Sequence, residues 1–318
     1  MLIALITKQA NAQDFHLTQY DMSPLYINPA LTGIYLGEKG DFRAMANYRS
    51  QWQKLQGKPF TTAAFSFDKP IKRFGVGAYL MDNIAGRSNY NTFNFVIGAA
   101  YIITSEKSKE HYLTTGIQLG MINKKFGQDD LLYTSQYNTT SGFNPAVDNG
   151  EGFEKYSILR FDSNFGVFYK YRNPNKKWNP FIGLSVYHLN KPDQASTGIK
   201  SKMPMRFNIN GGSNYKVNND LKLQPSFLYM YQGRAQEVNI MLLAFYHMKD
   251  TYFDLLGGVS CRWQDSFSVH GGLKQGGSTY RISYDFVTSP LKAYSGRRGG
   301  IELGVIYTGF KRGTHANF

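Results

Sequence analysis

The sequence predicts an all-β protein: an antiparallel transmembrane β-barrel of about 14 strands, with a short N-terminal segment outside the barrel. Three observations carry this prediction. Apolar and polar side chains alternate with a period of two through runs of about 10–14 residues, which is typical of half-exposed strands. The chain contains 23 Tyr, 23 Phe and 3 Trp, but only 18% charged residues. Its mean hydropathy is −0.39, and it has no apolar run of the about 18 residues that a transmembrane helix requires.

The composition also excludes several classes of protein. An aromatic content of 15% excludes a disordered polar chain. The single cysteine, Cys261, excludes an internal disulfide framework and a zinc site built from cysteines. The net charge of +14 favours anionic partners. We expect outer-membrane lipid and lipopolysaccharide and no nucleic acid, because many basic residues fall in predicted turns, namely Lys107, Lys109, Lys124, Lys125, Lys176, Lys177, Arg297, Arg298, Lys311 and Arg312.

The first residues resemble the end of a secretion signal. Residues 2–6 are apolar, and Ala10-Asn11-Ala12 has the small-x-small form of a signal-peptidase site. The apolar run is short and no basic region precedes it, so residues 1–12 are predicted to be a remnant of a signal peptide, or else an N-terminus without a targeting role. The mature chain is then expected to start at Gln13.

Residues 41–310 carry the alternation that predicts the barrel. Near the end of the chain, Tyr280, Ile282 and Tyr284 alternate with Arg281, Ser283 and Asp285. Strands of this length suit a tilted crossing of a bilayer, for which about 9–11 residues suffice. The predicted strands are 41–52, 59–68, 72–84, 89–104, 110–124, 160–172, 178–191, 203–217, 220–232, 236–248, 251–264, 265–274, 278–288 and 299–309.

Two stretches depart from this pattern. Pro225 falls inside a predicted strand, and residues 238–246 are apolar on both faces, so we expect either a bulge or packing against material in the lumen. The connection 125–159 is much longer than the others. If the first strand rises from the periplasm, this connection is extracellular. It is either a variable surface loop or a docking loop for cargo.

The sequence offers no catalytic motif, so no enzymatic activity, cofactor or metal site is predicted. The six histidines lack the spacing of a zinc-protease helix, and neither a nucleophile elbow nor a phosphate-binding loop is present. The paired glycines near residues 271–277 and 299–300 precede no helix-forming segment, and they indicate turns and thin positions in the barrel wall instead.

Charged residues on the inward face supply the candidate site. Alternation places Arg43, Arg49 and Gln51 in the lumen on the first strand, and Arg281, Asp285 and Glu302 in the lumen near the end of the chain. Because the first and last strands must pair to close a barrel, these residues are expected to be neighbours. The cluster is either a structural ion-pair network or a docking surface for a ligand or plug on the seam between those strands.

Family resemblance enters through short motifs in a consistent order. Residues 19–33 resemble the opening signature of the PorP/SprF family of type IX secretion proteins, a Q-Y pair followed by N-P-A-x-x-G. Residues 48–52 resemble its Y-R-x-Q-W motif, residues 183–192 its G-x-S-x-x-H-L-x-x-P motif, and residues 283–285 part of its Y-S-Y-D motif. Ile301 stands where the family often has histidine, so no role is carried over for that histidine. The residues that match the opening signature are Gln19, Tyr20, Asn28, Pro29, Ala30 and Gly33.

The resemblance implies a non-enzymatic barrel in the outer membrane of a Gram-negative bacterium. Its implied partners are other type IX components and a secreted surface protein, such as a gliding adhesin, bound through the C-terminal domain of that cargo. Asn28 and Pro29 can cap and start a short helical turn, so residues 13–40 are predicted to form a periplasmic segment or a lumen plug. Residues 311–318 are predicted to be a C-terminal tail.

Two other classes of function remain open from the sequence. A general porin requires an open polar pore, whereas small inward positions indicate a filled lumen, namely Gly75, Gly77, Ala100, Gly116 and Gly120. A soluble basic binding protein would lack a membrane barrel altogether.

Overall fold

The computed structural model describes residues 14–35, 40–52, 59–86, 90–105, 107–108, 110–125, 133–140, 142–144, 146–147, 157–195, 200–290 and 292–309. The predicted signal remnant 1–12, the tail 311–318 and much of the connection 125–159 lie outside the described residues. Lys109, Lys311 and Arg312, which the sequence places in turns, also lie outside them.

In the described part of the chain, fourteen strands close into an antiparallel barrel, which confirms the predicted fold class. Each strand pairs with its neighbours in sequence, and the first strand pairs with the last. The strands are β1 Phe42–Gln51, β2 Phe60–Ile71, β3 Phe74–Ala85, β4 Tyr90–Ile102, β5 His111–Lys125, β6 Ser157–Tyr171, β7 Trp178–Tyr187, β8 Arg206–Lys216, β9 Leu221–Gln232, β10 Ala235–His247, β11 Phe253–Arg262, β12 Ser266–Gln275, β13 Ser278–Val287 and β14 Arg298–Gly309.

Side-chain burial follows the period-two pattern on which the prediction depends. Large apolar residues on one face are exposed, as at Phe65, Ile97 and Leu184, whereas the alternate positions are buried in the lumen. Outward residues of a transmembrane barrel face lipid, so this coat accounts for the aromatic-rich composition. Many of the buried inward residues are polar, and their side chains therefore need partners inside the barrel.

The predicted irregularity around Pro225 is small. Pro225 pairs with Leu242 in an unbroken register between β9 and β10, so no bulge forms there. On its other side, the ladder to β8 skips Ser213 and Asn214, which is expected because proline has no N–H to donate. The apolar inward face of β10 is explained by packing, since Met241 and Leu243 belong to a core inside the barrel.

The two ends of the barrel differ in the length of their connections. At the end where β1 starts, the turns between strands are short, for example 72–73, 217–220 and 276–277. We call this the short-turn end. The connections 126–156 and 188–205 lie at the opposite end, which we call the long-loop end. Among the described residues, the helices are too short to cross a membrane.

Residues 14–35, which we call the lumen segment, run through the inside of the barrel. They form a 3₁₀ turn Tyr20–Met22, a helix α1 Pro24–Ile27 and a second 3₁₀ turn Pro29–Leu31. The segment starts beside residues at the long-loop end and reaches the short-turn end near Asp68. The remaining short elements are the 3₁₀ turn Thr134–Gln136, the hairpin Tyr137–Asn138 with Gly142–Phe143, and a helix α2 Lys292–Ser295.

An apolar core joins the lumen segment to the barrel wall. The segment supplies Leu17, Tyr20, Leu25, Tyr26 and Ile27 to this core. Burial of such side chains stabilises by about 1.5–3 kcal/mol each relative to full exposure. The inward wall residues that pack against them are Met45, Tyr79, Met81, Val96, Leu228, Met230, Met241, Leu243 and Leu256.

Candidate functional site in the barrel lumen

Arg49 is the centre of the charged cluster at the seam between β1 and β14. Its side chain is fully buried, and its guanidinium lies 2.6 Å from Asp285 Oδ2 and 3.7 Å from Glu302 Oε2. Arg49 and Glu302 face each other directly in the β1–β14 register. With its amide oxygen turned toward the guanidinium, Gln51 accepts from Arg49 Nε at 3.2 Å. Strand β1 and the last two strands, β13 and β14, therefore bring these four predicted residues together.

The carboxylates of this cluster also bind the lumen segment. The backbone N–H groups of Thr18 and Gln19 donate to Glu302 at 2.8 and 3.1 Å. The Thr18 hydroxyl donates to Asp285 Oδ2 at 2.8 Å, and Arg49 donates to the carbonyl of His16 at 2.6 Å. Hydrogen bonds that involve charged groups are about twice as strong as neutral ones, so the cluster is a firm seat for residues 16–19.

The other two predicted arginines lie apart from this cluster. Arg281 forms a two-point ion pair with Asp21 and donates to Gln19 Oε1 at 3.2 Å, so its partners are in the lumen segment and not on the neighbouring strands. Arg43 lies near the short-turn end, where it pairs with Asp68 at 2.5 Å. The expected single group of six neighbours is thus wrong in detail, because inward residues far apart along a strand occupy different depths of the barrel.

The residues of the N-terminal family motif hold the lumen segment at successive depths. Gln19 donates to the carbonyl of Glu302 at 2.8 Å, and the Tyr20 hydroxyl lies 2.9 Å from Ser226 Oγ. Further down, the Ala30 carbonyl accepts from Thr114 at 3.0 Å.

Asn28 caps the turn that begins at Pro29, as the sequence predicts. Its Oδ1 accepts from the N–H of Ala30 at 2.9 Å, and its amide nitrogen donates to the carbonyls of Val167 and Leu184 at 3.0 and 3.3 Å. One side chain thereby shapes the segment and fastens it to β6 and β7.

Glycines in the wall let the lumen segment approach the strands closely. A Cβ on Gly75 would lie 2.0 Å from the Thr32 carbonyl oxygen, and a Cβ on Gly116 would lie 2.3 Å from the Pro29 carbonyl oxygen. Gly33 has a φ of +61°, which favours glycine, and its N–H donates to Asp68 at 2.8 Å. Ala100 also packs in this region, whereas Gly77 and Gly120 make room for neighbouring strands instead of the segment.

The alternation alone did not single out a second polar cluster at the long-loop end. His188 lies between Asp14 of the lumen segment, at 2.7 Å, and Asp162 of β6, at 2.9 Å. Arg206 of β8 also reaches Asp14, at 2.9 Å, and its guanidinium stacks over the Tyr187 ring. The inward positions of Asp162 and Arg206 were readable from the period of two, but their meeting with Asp14 depends on the path of the lumen segment.

The protonated form of His188 stabilises this second cluster. Burial alone would lower the pKa of His188, but the carboxylates of Asp14 and Asp162 outweigh it and raise that pKa from 6.5 to about 9. Burial alone would raise the pKa of Asp14, but the positive charges of His188 and Arg206 outweigh it and hold that pKa well below its usual range. The charged form of each partner is therefore favoured at neutral pH.

Raising the pH is expected to loosen the start of the lumen segment. A pKa raised on folding gives stability that is complete below about 6.5 and is lost as the pH rises through about 9, a span worth about 3 kcal/mol. The test is the heat-unfolding midpoint of the purified barrel at about pH 6 and about pH 10. His188→Gln should reduce the difference, whereas His247→Gln, which removes an exposed pair with Asp254, should not. An equal difference in all three proteins would contradict the assignment.

No residue set in the described part of the chain suggests a metal centre. Within the described ranges, no group of three or more His, Cys, Asp or Glu side chains could hold a metal ion. Many of the lumen polar groups bond to one another or to the lumen segment.

The fold is similar to that of two solved structures. The P. putida toluene transporter TodX is 10% identical, with a TM-score of 0.51, and the match covers 89% of this chain and 92% of that one. The TodX monoaromatic hydrocarbon channel deltaS2 mutant is 11% identical, with a TM-score of 0.50 and coverage of 91% and 94%. At these identities, the likeness shows the fold alone. Nothing among the curated proteins matches the sequence.

A family model gives a more specific result. The model described as "Type IX secretion system membrane protein PorP/SprF" matches residues 9–307. The match takes in the lumen segment, its seat at the β1–β14 seam and nearly all of the barrel. The chain therefore belongs to the PorP/SprF family of type IX secretion system membrane proteins.

Proposed function

We propose that the protein is a non-enzymatic accessory barrel of the type IX secretion system in the outer membrane of a Gram-negative bacterium. It binds a secreted cell-surface protein, such as a gliding adhesin, through the C-terminal domain of that cargo, and helps to export or anchor it. Family membership supports a place among the type IX components. The observation that carries the proposal is the occupied lumen, because a barrel filled by its own chain is suited to binding and not to free diffusion.

The difference between the two ends supports an orientation for the barrel. Outer-membrane barrels have short periplasmic turns and longer extracellular loops. On that rule the short-turn end faces the periplasm, and the connections 126–156 and 188–205 face outward, together with the start of the lumen segment. The segment then acts as a plug whose lower half is reached from the periplasm.

The seam cluster acts as the docking surface for this plug. An ion-pair network serving only the strands would satisfy its carboxylates with wall residues. Here Glu302 accepts from the N–H groups of Thr18 and Gln19, and Asp285 accepts from the Thr18 hydroxyl. The lumen segment therefore supplies hydrogen-bond donors that the carboxylates of the wall would otherwise lack.

A general porin is the alternative function, and the lumen argues against it. The two TodX structures are those of a transporter and a channel, but they share only the fold with this chain. Met45, Met81 and Leu243 are almost fully buried where an open polar pore would expose its wall. Single-channel conductance distinguishes the two functions, since a porin gives stable large openings.

Affinity purification from outer membranes is expected to recover a secreted surface protein together with type IX components. A tag placed in the connection 126–156 leaves the sequence of residues 14–35 unchanged. The matched control is an unrelated porin with the same tag in an extracellular loop. Identification of the co-purifying proteins by mass spectrometry gives the readout. Recovery of neither kind of partner above the control would refute the proposal.

A further inference from the structure

Two adjoining cavities open at the short-turn end of the barrel. The outer cavity has a volume of about 480 Å³ and the inner one about 200 Å³. Lys170, Asn214 and Gln224 line both of them, so the cavities form one cleft that leads from the mouth toward the underside of the lumen segment. We call it the mouth cleft.

The outer part of the mouth cleft is strongly basic. Among the described lining residues, Asp254 is its only carboxylate, and that group already pairs with His247 at 2.8 Å. In the described part of the chain, none of Arg172, Lys216, Lys222 and Lys274 makes an ion pair. A cleft walled by protein and lined by one sign of charge focuses its field and attracts ligands of the opposite sign. The cationic side chains that line it are Lys170, Arg172, Lys176, Lys216, Lys222 and Lys274.

The inner part of the mouth cleft is largely apolar. Ile27 and Leu31 of the lumen segment meet Phe168 and Phe181 of the wall there. The one acidic residue among its described lining is Asp21, which is held by Arg281. The amides of Asn210, Asn214 and Gln224 add groups that can bond to a peptide backbone.

We propose that the mouth cleft binds an acidic peptide segment of a partner protein, with carboxylates among the lysines and an apolar side chain in the inner cavity. The basic outer cavity matches the carboxylates of such a segment, and the largely apolar inner cavity matches its apolar side chain. An apolar pocket with a few polar groups fixes orientation, while the basic rim sets attraction and selectivity.

The position of the lysines argues against a lipid headgroup as the occupant. Lys222 shares the inward face of β9 with buried Ser226 and Leu228, and Lys274 shares that of β12 with buried Ser268. The acyl chains of a lipid stay outside the wall, so its phosphate cannot reach these positions. The periplasmic placement of the mouth rests on the proposed function, whereas the chemistry of the cleft does not.

Binding of a dye-labelled oligoglutamate peptide that ends in phenylalanine tests the proposal with the purified full-length barrel. Fluorescence anisotropy should show saturable binding that weakens as salt is added. The double variant Lys222→Glu with Lys274→Glu should weaken binding about tenfold or more. An oligoglutamine peptide of the same length should bind no better than background.

The matched control reverses the same amount of charge elsewhere. Lys125→Glu with Lys202→Glu alters two exposed lysines at the long-loop end and should leave binding within about twofold, since these charges lie beyond a Debye length of about 8 Å. Heat-modifiable gel migration checks that each variant is folded. If the mouth variant fails to fold, Lys222→Gln with Lys274→Gln takes its place and should also weaken binding.

The outcomes separate this inference from the proposed function. The acidic-peptide assignment would be overturned if the mouth and control variants lost peptide binding equally, or if the oligoglutamine peptide bound as well as the oligoglutamate peptide. Neither result would affect co-purification with type IX components. Peptide binding without any co-purifying type IX partner would overturn the proposed function and leave the assignment of the cleft intact.

Discussion

Replacing Arg49 with methionine is expected to destabilise the closed barrel by about 3–5 kcal/mol, because it leaves buried Glu302 without its cation and buried Asp285 with only Arg262, at 3.7 Å. Asp285 and Glu302 are both buried, and Arg49 lies within 2.6 and 3.7 Å of them. The carbonyl of His16 would lose its partner as well. The measurement is the denaturant midpoint of folding in detergent, followed by heat-modifiable gel migration.

Two further variants separate charge from packing at this position. Arg49→Lys keeps the positive charge and should recover part of the loss. Arg49→Met combined with Asp285→Asn and Glu302→Gln removes the two buried carboxylates that faced Arg49, so it should be more stable than Arg49→Met alone. If the triple variant is as unstable as Arg49→Met, the stability of the seam depends on the packing of the Arg49 side chain and not on its charge.

Gly116→Val is expected to force the lumen segment out of its seat and to open the barrel to ions. The new Cβ would lie 2.3 Å from the Pro29 carbonyl oxygen and 2.7 Å from the Ala30 nitrogen, and both are backbone atoms that cannot turn aside. Overpacking of this kind costs about 1–3 kcal/mol, which shifts the ratio of open to occupied barrels about 5- to 150-fold. In planar bilayers, the unchanged protein should lack stable large openings, and the variant should show them.

Gly271→Val and Gly257→Val provide matched controls in strands on another part of the wall. A Cβ at either position meets nothing within 4 Å, so conductance should match that of the unchanged protein. Stable openings in the unchanged protein, or none in Gly116→Val, would show that the segment does not block the lumen.

The strands could be predicted from sequence because their pattern is local. A period of two needs only neighbouring residues, and the predicted limits of β1, β5 and β14 differ from the observed ones by only a few residues. The closeness of Arg49 and Glu302 could also be predicted, because closure of a barrel pairs the first strand with the last.

The path of the lumen segment could not be predicted in the same way. Its contacts join residues that no local pattern relates, such as Asp14 with His188 and Asp21 with Arg281. Lys124 illustrates the same limit, since the sequence places it at the boundary of the strand 110–124 and a turn, whereas the structure places it within β5, where it donates to Gln194 at 2.6 Å. Lys125 is likewise the last residue of β5, and Arg298 is the first residue of β14, so neither lies in a turn.

The seat at the β1–β14 seam has a consequence for the order of assembly. Thr18 bonds to a carboxylate 284 positions later in the chain, so the seat is incomplete until the last strand has been made and placed. A barrel whose edges met without the N-terminal residues inside would bury Asp285 and Glu302 with part of their hydrogen bonds missing. Closing around the segment is thus favoured over threading it afterwards, and correct enclosure is coupled to completion of the wall. The charged cluster is fully bonded only when the lumen segment, β1, β13 and β14 are all in place.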